Sequence, residues 1–342
     1  MRRLALFLAV IVVLLAGVGV FDWWTDPAGD IYKPAALTAA LAHNPSCLVA
    51  QELVGARYFS FKLDVFHRRP TTTFVVGSSR VLKIESLPGE RTFANLGFPG
   101  TAPETILSLF RVLPAQPTQT VYLGVEAFWF NRRYTVPVYR PTAYQLARYL
   151  LSRSTFQLGV KFTRQAHYIL YDRWTREQVG RRCVIGRIFP SIAWNVDGSR
   201  VWSWELDPEV FPKFTEPAYT TDLAAFRNGY YDGWTSLDTR RVRILEQALA
   251  LARNRGWRVV GFAPPEPARY LRLFDTDPRL APRWHAFLQL MPELFKGYGF
   301  RWAGLWDGAA LGCRASDFPD AFHSDAVCSG RVRARLDAAA RR

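Results

Sequence analysis

The sequence contains few of the residues that bind transition metals. Its 342 residues include five scattered histidines and four cysteines, with no Cys-x-x-Cys pair and no histidine cluster. Zinc sites draw on closely spaced residues of these types, so we expect no metal site. The sequence also lacks internal repeats and low-complexity tracts, and 49% of it is apolar. Its composition is therefore that of a globular protein long enough to bury a large core.

One long apolar run lies at the N-terminus, and no clear Ala-x-Ala cleavage site follows it. Two arginines precede the run from Leu4 to Phe21, and Trp23 and Trp24 come soon after it. A helix of this length spans roughly 27 Å, enough to cross the hydrocarbon core. We predict a membrane anchor over residues 1–24, with a cleaved signal peptide as the alternative. The positive N-terminus predicts a single-pass protein of the inner membrane with its domain on the periplasmic side.

Acidic residues are outnumbered by basic ones, 29 to 44, which gives a formal net charge of +15. Basic proteins often bind nucleic acid, but an exported domain rarely meets any, so we expect no nucleic-acid partner. Anionic lipid head groups or an acidic cell-surface glycan suit the compartment better. The alternative is that the charge serves solubility alone.

Strands and helices alternate along most of the exported chain, which implies a parallel sheet with helices on both faces. Residues 25–71 are predicted to contain two lead-in helices, Pro34–His43 and Glu52–His67. We predict strands at Thr72–Val76, Arg91–Leu96, Thr120–Val125, Trp257–Ala263 and Phe300–Trp306, and helices at Thr101–Val112, Leu237–Arg255, His285–Lys296 and Val327–Ala339.

The alternation breaks within the domain that we assign to residues 72–342. Between about residues 140 and 235 the chain is rich in Trp, Tyr, Phe and Arg. Gln157–Val179 resembles a helix, and Arg187–Glu205 resembles a hairpin around Asp197-Gly198. We interpret this stretch as an insertion that caps the active edge of the sheet. Its aromatic side chains would either stack on sugar rings or form core.

A candidate nucleophile follows the first core strand. Gly77, Ser78, Ser79 and Arg80 come directly after the apolar run Thr72–Val76. Ligands of open α/β sheets bind at the carboxyl ends of strands, and a serine there is presented at a helix N-terminus. A serine that only caps the helix is the alternative. Arg80 is either a substrate or oxyanion helper or a salt-bridge partner.

A candidate base and its orienting carboxylate lie near the C-terminus. A serine hydroxyl becomes nucleophilic when a histidine accepts its proton and a carboxylate orients that histidine. Asp320 and His323 supply both groups on one turn, and Asp325 is a second candidate partner for the imidazole. The remaining histidines have no carboxylate at catalytic spacing and are expected to be surface or core residues: His43, His67, His167 and His285.

The four cysteines are compatible with export, since an even number permits disulfides. Cys313 and Cys328 bracket the segment that holds Asp320 and His323. A disulfide between them would hold that segment in place. Four free buried thiols, including Cys47 and Cys183, are the alternative.

Three motifs together resemble those of SGNH/GDSL-type hydrolases, in the divergent membrane-anchored branch similar to DltD and the alginate O-acetylation proteins. Gly77-Ser78-Ser79 matches the family's Gly-Asp-Ser block, with serine in place of aspartate. The run from Asn95 to Gly100 matches Asn-x-Gly-x-x-Gly, and Asp320 to His323 matches Asp-x-x-His. The resemblance covers the chain from about Thr72 to Leu336, excluding the insertion.

The resemblance implies a three-layer, flavodoxin-like fold around a central parallel sheet. It implies that Ser79, rather than Ser78, is the nucleophile, and that the Gly100 N–H donates to the oxyanion. Asn95 belongs to the same block, and we expect it to hold the turn before Gly97. No metal or organic cofactor is implied.

One family block departs from the pattern at Glu126. The family places an oxyanion-donating asparagine after the third strand, but this chain has Leu123-Gly124-Val125-Glu126. A carboxylate cannot donate unless it is protonated. Three accounts remain: Arg80 pairs with Glu126, the N–H groups of Ser79 and Gly100 suffice, or the protein is inactive.

We therefore expect a serine esterase or O-acyltransferase that acts on acyl esters of a cell-envelope glycan. The alternative is an inactive scaffold of the same fold that binds glycan or partners an integral-membrane acyltransferase.

Overall fold

The computed structural model describes most of the chain. The described ranges are 2–25, 48–49, 55–135 except 115 and 117, 150–153, 156–157, 160, 184–185, 192–202, 205, 227, and 229–341 except 321. The chain divides into two units. The larger comprises residues 65–137, 197–200 and 208–342, and the smaller comprises residues 1–64, 138–196 and 201–207.

Nine strands and seven α-helices lie within the described ranges. The strands are β1 Leu48–Val49, β2 Thr73–Gly77, β3 Phe93–Gly97, β4 Thr120–Gly124, β5 Val184–Ile185, β6 Ile192–Trp194, β7 Arg200–Trp202, β8 Arg258–Phe262 and β9 Arg301–Trp302. The helices are α1 Arg2–Thr25, α2 Gly55–Arg68, α3 Pro103–Val112, α4 Thr239–Asn254, α5 Ala268–Thr276, α6 Ala281–Gly297 and α7 Ala326–Arg341.

The smaller unit begins with the apolar helix α1. Its segment Arg3–Asp22 is long and apolar enough to cross a membrane, and it is the one such helix among the described residues. A continuous run of leucine, alanine and valine without proline favours this helix. The predicted apolar N-terminal helix is thus confirmed. The predicted helix Pro34–His43 lies outside the described residues.

A second, four-stranded sheet has the strand order β5-β1-β6-β7. The neighbouring strands β6 and β7 flank Asp197-Gly198, so the predicted hairpin is confirmed. Gly198 has a φ of 84°, the left-handed conformation that glycine adopts without strain. Most of the predicted helix Gln157–Val179 lies outside the described residues.

The larger unit is built around a parallel five-stranded sheet with the order β3-β2-β4-β8-β9. The predicted α/β class and parallel sheet are confirmed, and each strand overlaps a predicted one. The last strand is shorter than predicted, because Phe300–Trp306 pairs only at β9. Gly304, with a φ of 53°, turns the chain after it. Helix α5 was not among the predicted elements.

Helices cover both faces of this sheet, because successive residues of a strand point to opposite sides. Val75, Tyr122 and Val260 are in register across β2, β4 and β8, and they pack with Val332 and Leu336 of α7. Fully burying each such apolar side chain contributes about 1.5–3 kcal/mol.

The opposite face carries the next residues along the strands. There Phe74 meets Trp257 with ring centroids 5.5 Å apart, and Trp257 meets Phe110 of α3 at 5.2 Å. Gly261 of β8 leaves the space that Phe295 of α6 fills. The carboxyl ends of the strands therefore form an edge between two helical layers.

Candidate functional site

Three glycines at the carboxyl ends of the strands support the turn that carries Ser79. Gly77, Gly97 and Gly124 end β2, β3 and β4, and a Cβ on any of them would lie 2.6–3.0 Å from a Val81 methyl group. Val81 is fully buried among them. It belongs to the 3-10 turn Ser79–Val81. Because the glycines have no side chains, Val81 packs directly against the ends of the three strands. This packing determines how far Ser79 stands from the sheet.

Ser79, His323 and Asp320 form one hydrogen-bonded series. Ser79 Oγ lies 2.8 Å from His323 Nε2, and His323 Nδ1 lies 2.6 Å from Asp320 Oδ2. Ser79 and His323 are 244 residues apart in sequence. Their expected proximity, within about 3.5 Å, is therefore met. Because a carboxylate only accepts, Nδ1 carries the ring hydrogen and Nε2 is free to accept from Ser79.

Asp320 is held as an ionised acceptor beside the imidazole. Its Oδ1 accepts the backbone N–H groups of His323 and Phe322 at 2.6 and 3.2 Å. Burial by itself would raise the pKa of the Asp320 carboxyl. The charge of His323 and these hydrogen bonds outweigh burial and lower that pKa. The alternative partner, Asp325, instead accepts the N–H groups of Val327 and Cys328 at the start of α7.

A disulfide closes the segment that supplies Asp320 and His323. Cys313 and Cys328 are bonded and lie 15 positions apart in sequence. Phe318 packs against the pair, and the Asp325 N–H donates to the Asp317 carbonyl at 2.7 Å. The disulfide therefore ties the start of this segment to Cys328 of α7. Cys47 and Cys183 lie outside the described residues.

Replacing both Cys313 and Cys328 with serine should lower stability and ester hydrolysis together. Losing a cross-link over a loop of this size costs about 3 kcal/mol, and a freed loop holds His323 less well against Ser79. Urea unfolding of the double variant and its rate with p-nitrophenyl acetate test this. Unchanged values for both would show that the disulfide does not hold the segment.

Ser78 and Ser79 have different surroundings. Ser78 is buried, donates from Oγ to Glu126 Oε1 at 2.5 Å, and accepts the Arg80 N–H at 3.1 Å. Its hydroxyl thus caps the turn and is already committed to a carboxylate. Ser79 is partly exposed and faces the imidazole. The geometry favours Ser79 as the nucleophile.

Arg80 pairs with two carboxylates beneath the turn. Its Nη1 donates to Glu126 Oε2 at 2.9 Å and to Glu266 Oε1 at 2.5 Å. Its Nη2 donates to the carbonyls of Pro264 and Pro265. All three charged side chains are 2% exposed. Arg80 is therefore a salt-bridge partner, one of the two roles considered for it. Its pairing with Glu126 is the first of the three accounts given for that residue.

The buried charges shift one another's pKa values. Burial would lower the pKa of Arg80, but Glu126 and Glu266 outweigh it and raise that pKa. Burial raises the pKa of Glu266 to about 7, an effect that Arg80 opposes and Glu126 strengthens. Arg80 therefore stays charged at every ordinary pH, while Glu266 titrates near neutrality.

Asn95 stabilises the loop that follows Ser79, and its side chain is buried in that role. It is fully buried, and its Nδ2 donates to the carbonyls of Val81 and Ile84, both at 2.8 Å. Its Oδ1 accepts the Gly97 N–H at 2.8 Å. Both amide hydrogens are used, so Asn95 offers none to an oxyanion. This geometry corresponds to the structural role expected for it.

Two backbone N–H groups stand ready as oxyanion donors. In the described part of the chain, neither the Ser79 nor the Gly100 N–H donates to a protein acceptor. Ser79 opens its 3-10 turn, where an N–H has no partner within the helix. Gly100 has a φ of 65°, in the left-handed region that favours glycine. We infer that these two groups are available to a developing oxyanion.

Aromatic residues and Glu266 complete the site and were not anticipated from sequence. Phe322 stacks on Tyr230 with ring centroids 5.8 Å apart, and its ring lies 4.8 Å from the guanidinium carbon of Arg80. The pKa of Tyr230 is raised by burial and by the charges of Glu126 and Asp320. Glu266 follows the carboxyl end of β8, and that position was the available signal for it.

The remaining histidines do not join this site. His285 lies 3.4 Å from Asp275, ten positions away in sequence, and both side chains are more than half exposed, so His285 is a surface residue as expected. His67 ends α2, while His43 and His167 lie outside the described residues. Among the described residues, no cluster of His, Cys, Asp and Glu could hold a metal ion.

The comparisons with known proteins add no relative. The sequence matches no protein-family model and no curated protein.

Proposed function

We propose that this chain is a membrane-anchored, exported serine esterase or O-acyltransferase that acts on acyl esters of a cell-envelope glycan. The observation that carries the proposal is the series Ser79, His323 and Asp320, with 2.8 Å between hydroxyl and imidazole. A nucleophilic serine needs a base at this distance and a carboxylate that orients the base.

The sheet and the motif positions support an SGNH-like fold. Numbered within the larger unit alone, the five strands run 2-1-3-4-5, the flavodoxin-like order. Ser79 and Gly100 follow its first two strands, and His323 comes just before the last helix. These positions correspond to the three motif blocks of that family.

The chemistry follows from the hydrogen bonds. Ser79 Oγ attacks the ester carbonyl carbon while His323 Nε2 takes the hydroxyl proton, and Asp320 stabilises the imidazolium. The N–H groups of Ser79 and Gly100 bind the oxyanion. The imidazolium returns the proton to the leaving alcohol, which yields an acyl-Ser79 ester. Water or a glycan hydroxyl then attacks that ester with His323 as the base.

Two features support the compartment and the substrate class. Helix α1 suits a single-pass anchor, and its two N-terminal arginines favour a cytoplasmic end with the domain outside. The net charge of +15 suits an acidic surface polymer. A membrane acyltransferase is a natural partner for an anchored transferase.

An inactive scaffold remains the second candidate, because the usual asparagine donor is replaced by Glu126. The pairing of Glu126 with Arg80 and Ser78 weakens this alternative. Both carboxylate oxygens have donors, so the side chain presents no unpaired charge to the substrate.

The full chain in detergent should hydrolyse p-nitrophenyl acetate and remove or transfer acetyl groups on an O-acetylated acidic polysaccharide. Acetate release and acetyl transfer to an unmodified polysaccharide are measured side by side. Hydrolysis without transfer identifies an esterase. Polysaccharide binding without turnover of either substrate would favour the scaffold and refute the proposed function.

A further inference from the structure

We propose that Glu266 is a positioning residue for Ser79, and that it acts through Arg80 and Glu126 while carrying a proton on Oε2. The inference rests on the proposed function, because it concerns the rate at which Ser79 is acylated. It assigns a role to a buried carboxyl group that none of the motifs includes.

The charges of Arg80, Glu126 and Glu266 do not balance if both carboxyl groups are ionised. Arg80 carries one positive charge, and Glu126 and Glu266 would carry two negative charges if both were ionised. All three side chains are 2% exposed, and an uncompensated charge in such a place is strongly unfavourable. One proton on one carboxyl group makes the cluster neutral.

The hydrogen bonds indicate which carboxyl group holds that proton. Glu126 Oε1 accepts from Ser78 and Oε2 accepts from Arg80, so both of its oxygens have donors. Glu266 Oε1 accepts from Arg80, but Oε2 is buried without a partner among the described residues. An unpaired neutral hydroxyl costs less than an unpaired charged oxygen. The proton therefore belongs on Glu266.

The cluster of Arg80, Glu126 and Glu266 acts on Ser79 through the two residues next to Ser79 in sequence, Ser78 and Arg80. Ser78 Oγ donates to Glu126 and accepts the Arg80 N–H, which fixes the turn on both sides of Ser79. The oxyanion forms at the N–H groups of Ser79 and Gly100. A net negative charge beneath that point opposes the developing oxyanion, whereas a neutral cluster does not. Ionisation of Glu266 should therefore slow acylation.

Among the described residues, the charged or titratable groups near Glu266 are Arg80, Tyr231, Asp307 and Glu126. Arg80 remains charged, because its two carboxylate partners raise its pKa. Tyr231 remains neutral, because burial and the charges of Glu266 and Glu126 raise its pKa well above the ordinary value. On the neighbouring loop, the backbone of Asp307 forms a β-bridge with the backbone of Glu266. The Asp307 side chain accepts the Ala310 N–H through Oδ1. Both oxygens of Glu126 accept hydrogen bonds, from Ser78 and from Arg80.

Kinetics with Glu266→Gln test this role in the full chain in detergent, with p-nitrophenyl acetate as the probe. In the wild type, kcat should fall above about pH 7, by up to about tenfold per pH unit, with little change in KM. The Gln variant keeps a neutral group and should not show the fall. By about pH 8.5 it should exceed the wild type about tenfold.

Glu90→Gln is the control, because Glu90 pairs at 2.8 Å with the buried Arg333 but is itself 20% exposed. Its pH profile should follow the wild type. Three results would overturn the inference: a flat wild-type profile, the same fall in Glu266→Gln, or a folded Glu266→Gln protein that is inactive at every pH.

Infrared spectra of wild-type protein with labelled glutamate test the proton even if the variant fails to fold. At about pH 6 exposed glutamates are ionised, so a carboxylic-acid carbonyl band reports a protonated buried group. The band should disappear by about pH 8.5, and its absence at about pH 6 refutes the inference. A wild type that hydrolyses no ester refutes the proposed function instead, whatever the band shows. An active wild type without the band refutes only the role of Glu266.

Discussion

Ser79→Ala should lower the rate of p-nitrophenyl acetate hydrolysis by about 10³-fold or more, because it removes the hydroxyl that His323 contacts. Ser79 Oγ is 2.8 Å from His323 Nε2, whereas the Ser78 hydroxyl is bonded to Glu126. The substitution removes only a partly exposed hydroxyl, so unfolding by urea should be unchanged. Initial rates at matched protein concentration give the comparison.

The variant Ser78→Ala tests whether Ser79 or Ser78 is the nucleophile. It removes the cap of the turn and one donor to Glu126. A lost buried hydrogen bond of this kind costs about 1–3 kcal/mol, so we expect a loss of activity below about 10²-fold. An equal loss in both variants, or an active Ser79→Ala protein, would contradict the assignment of Ser79.

Arg80→Met should reduce the free energy of unfolding by about 3–5 kcal/mol, the cost of breaking a buried ion pair. Methionine keeps much of the volume under Phe322 but leaves Glu126 and Glu266 without a positive charge. Urea unfolding of the purified variant at neutral pH measures the loss. Hydrolysis should fall as well, since the turn that presents Ser79 loses its anchor.

The triple variant Arg80→Met, Glu126→Gln, Glu266→Gln should regain most of that stability, because no buried charge remains unpaired. Arg133→Met is the surface control. Its partner Asp232 lies at 3.1 Å, but both side chains are more than 60% exposed, and such pairs contribute about 0–1 kcal/mol. A triple variant no more stable than Arg80→Met would show that charge is not the reason for the loss.

The parallel sheet was predictable because its strands are short apolar runs separated by helical periodicity. Thr72–Val76 predicted β2 within one residue at each end, and the glycines after the strands marked the edge. The last strand was predicted too long, since Phe300–Trp306 is apolar except for Arg301 and Gly304, and the turn at Gly304 leaves no pattern in a window of that size. Local pattern identifies a strand, but its length depends on the neighbour it pairs with.

The candidate site was predictable where a motif carries its own chemistry. Ser79, Asp320 and His323 are separated by long stretches of chain, and only their order and strand context placed them together. Glu266 was not predictable in this way, because a single glutamate after two prolines is ordinary in a loop. Its role depends on a contact with Arg80 across 186 positions, which no local signal encodes. The pairing of Arg80 with Glu126 was one of three open accounts until the distance was known.

Trapping the acyl-enzyme tests the central claim most directly. The full chain is mixed with p-nitrophenyl acetate, quenched in acid within the first turnovers, digested, and its peptides are weighed and sequenced by mass spectrometry. The account predicts one acetyl group on Ser79 in the wild type, and much less of it in Asp320→Asn, because His323 is then no longer oriented to take the Ser79 proton. Ester hydrolysis with an unmodified Ser79 at every quench time, or an acetyl group on Ser78 alone, would contradict it.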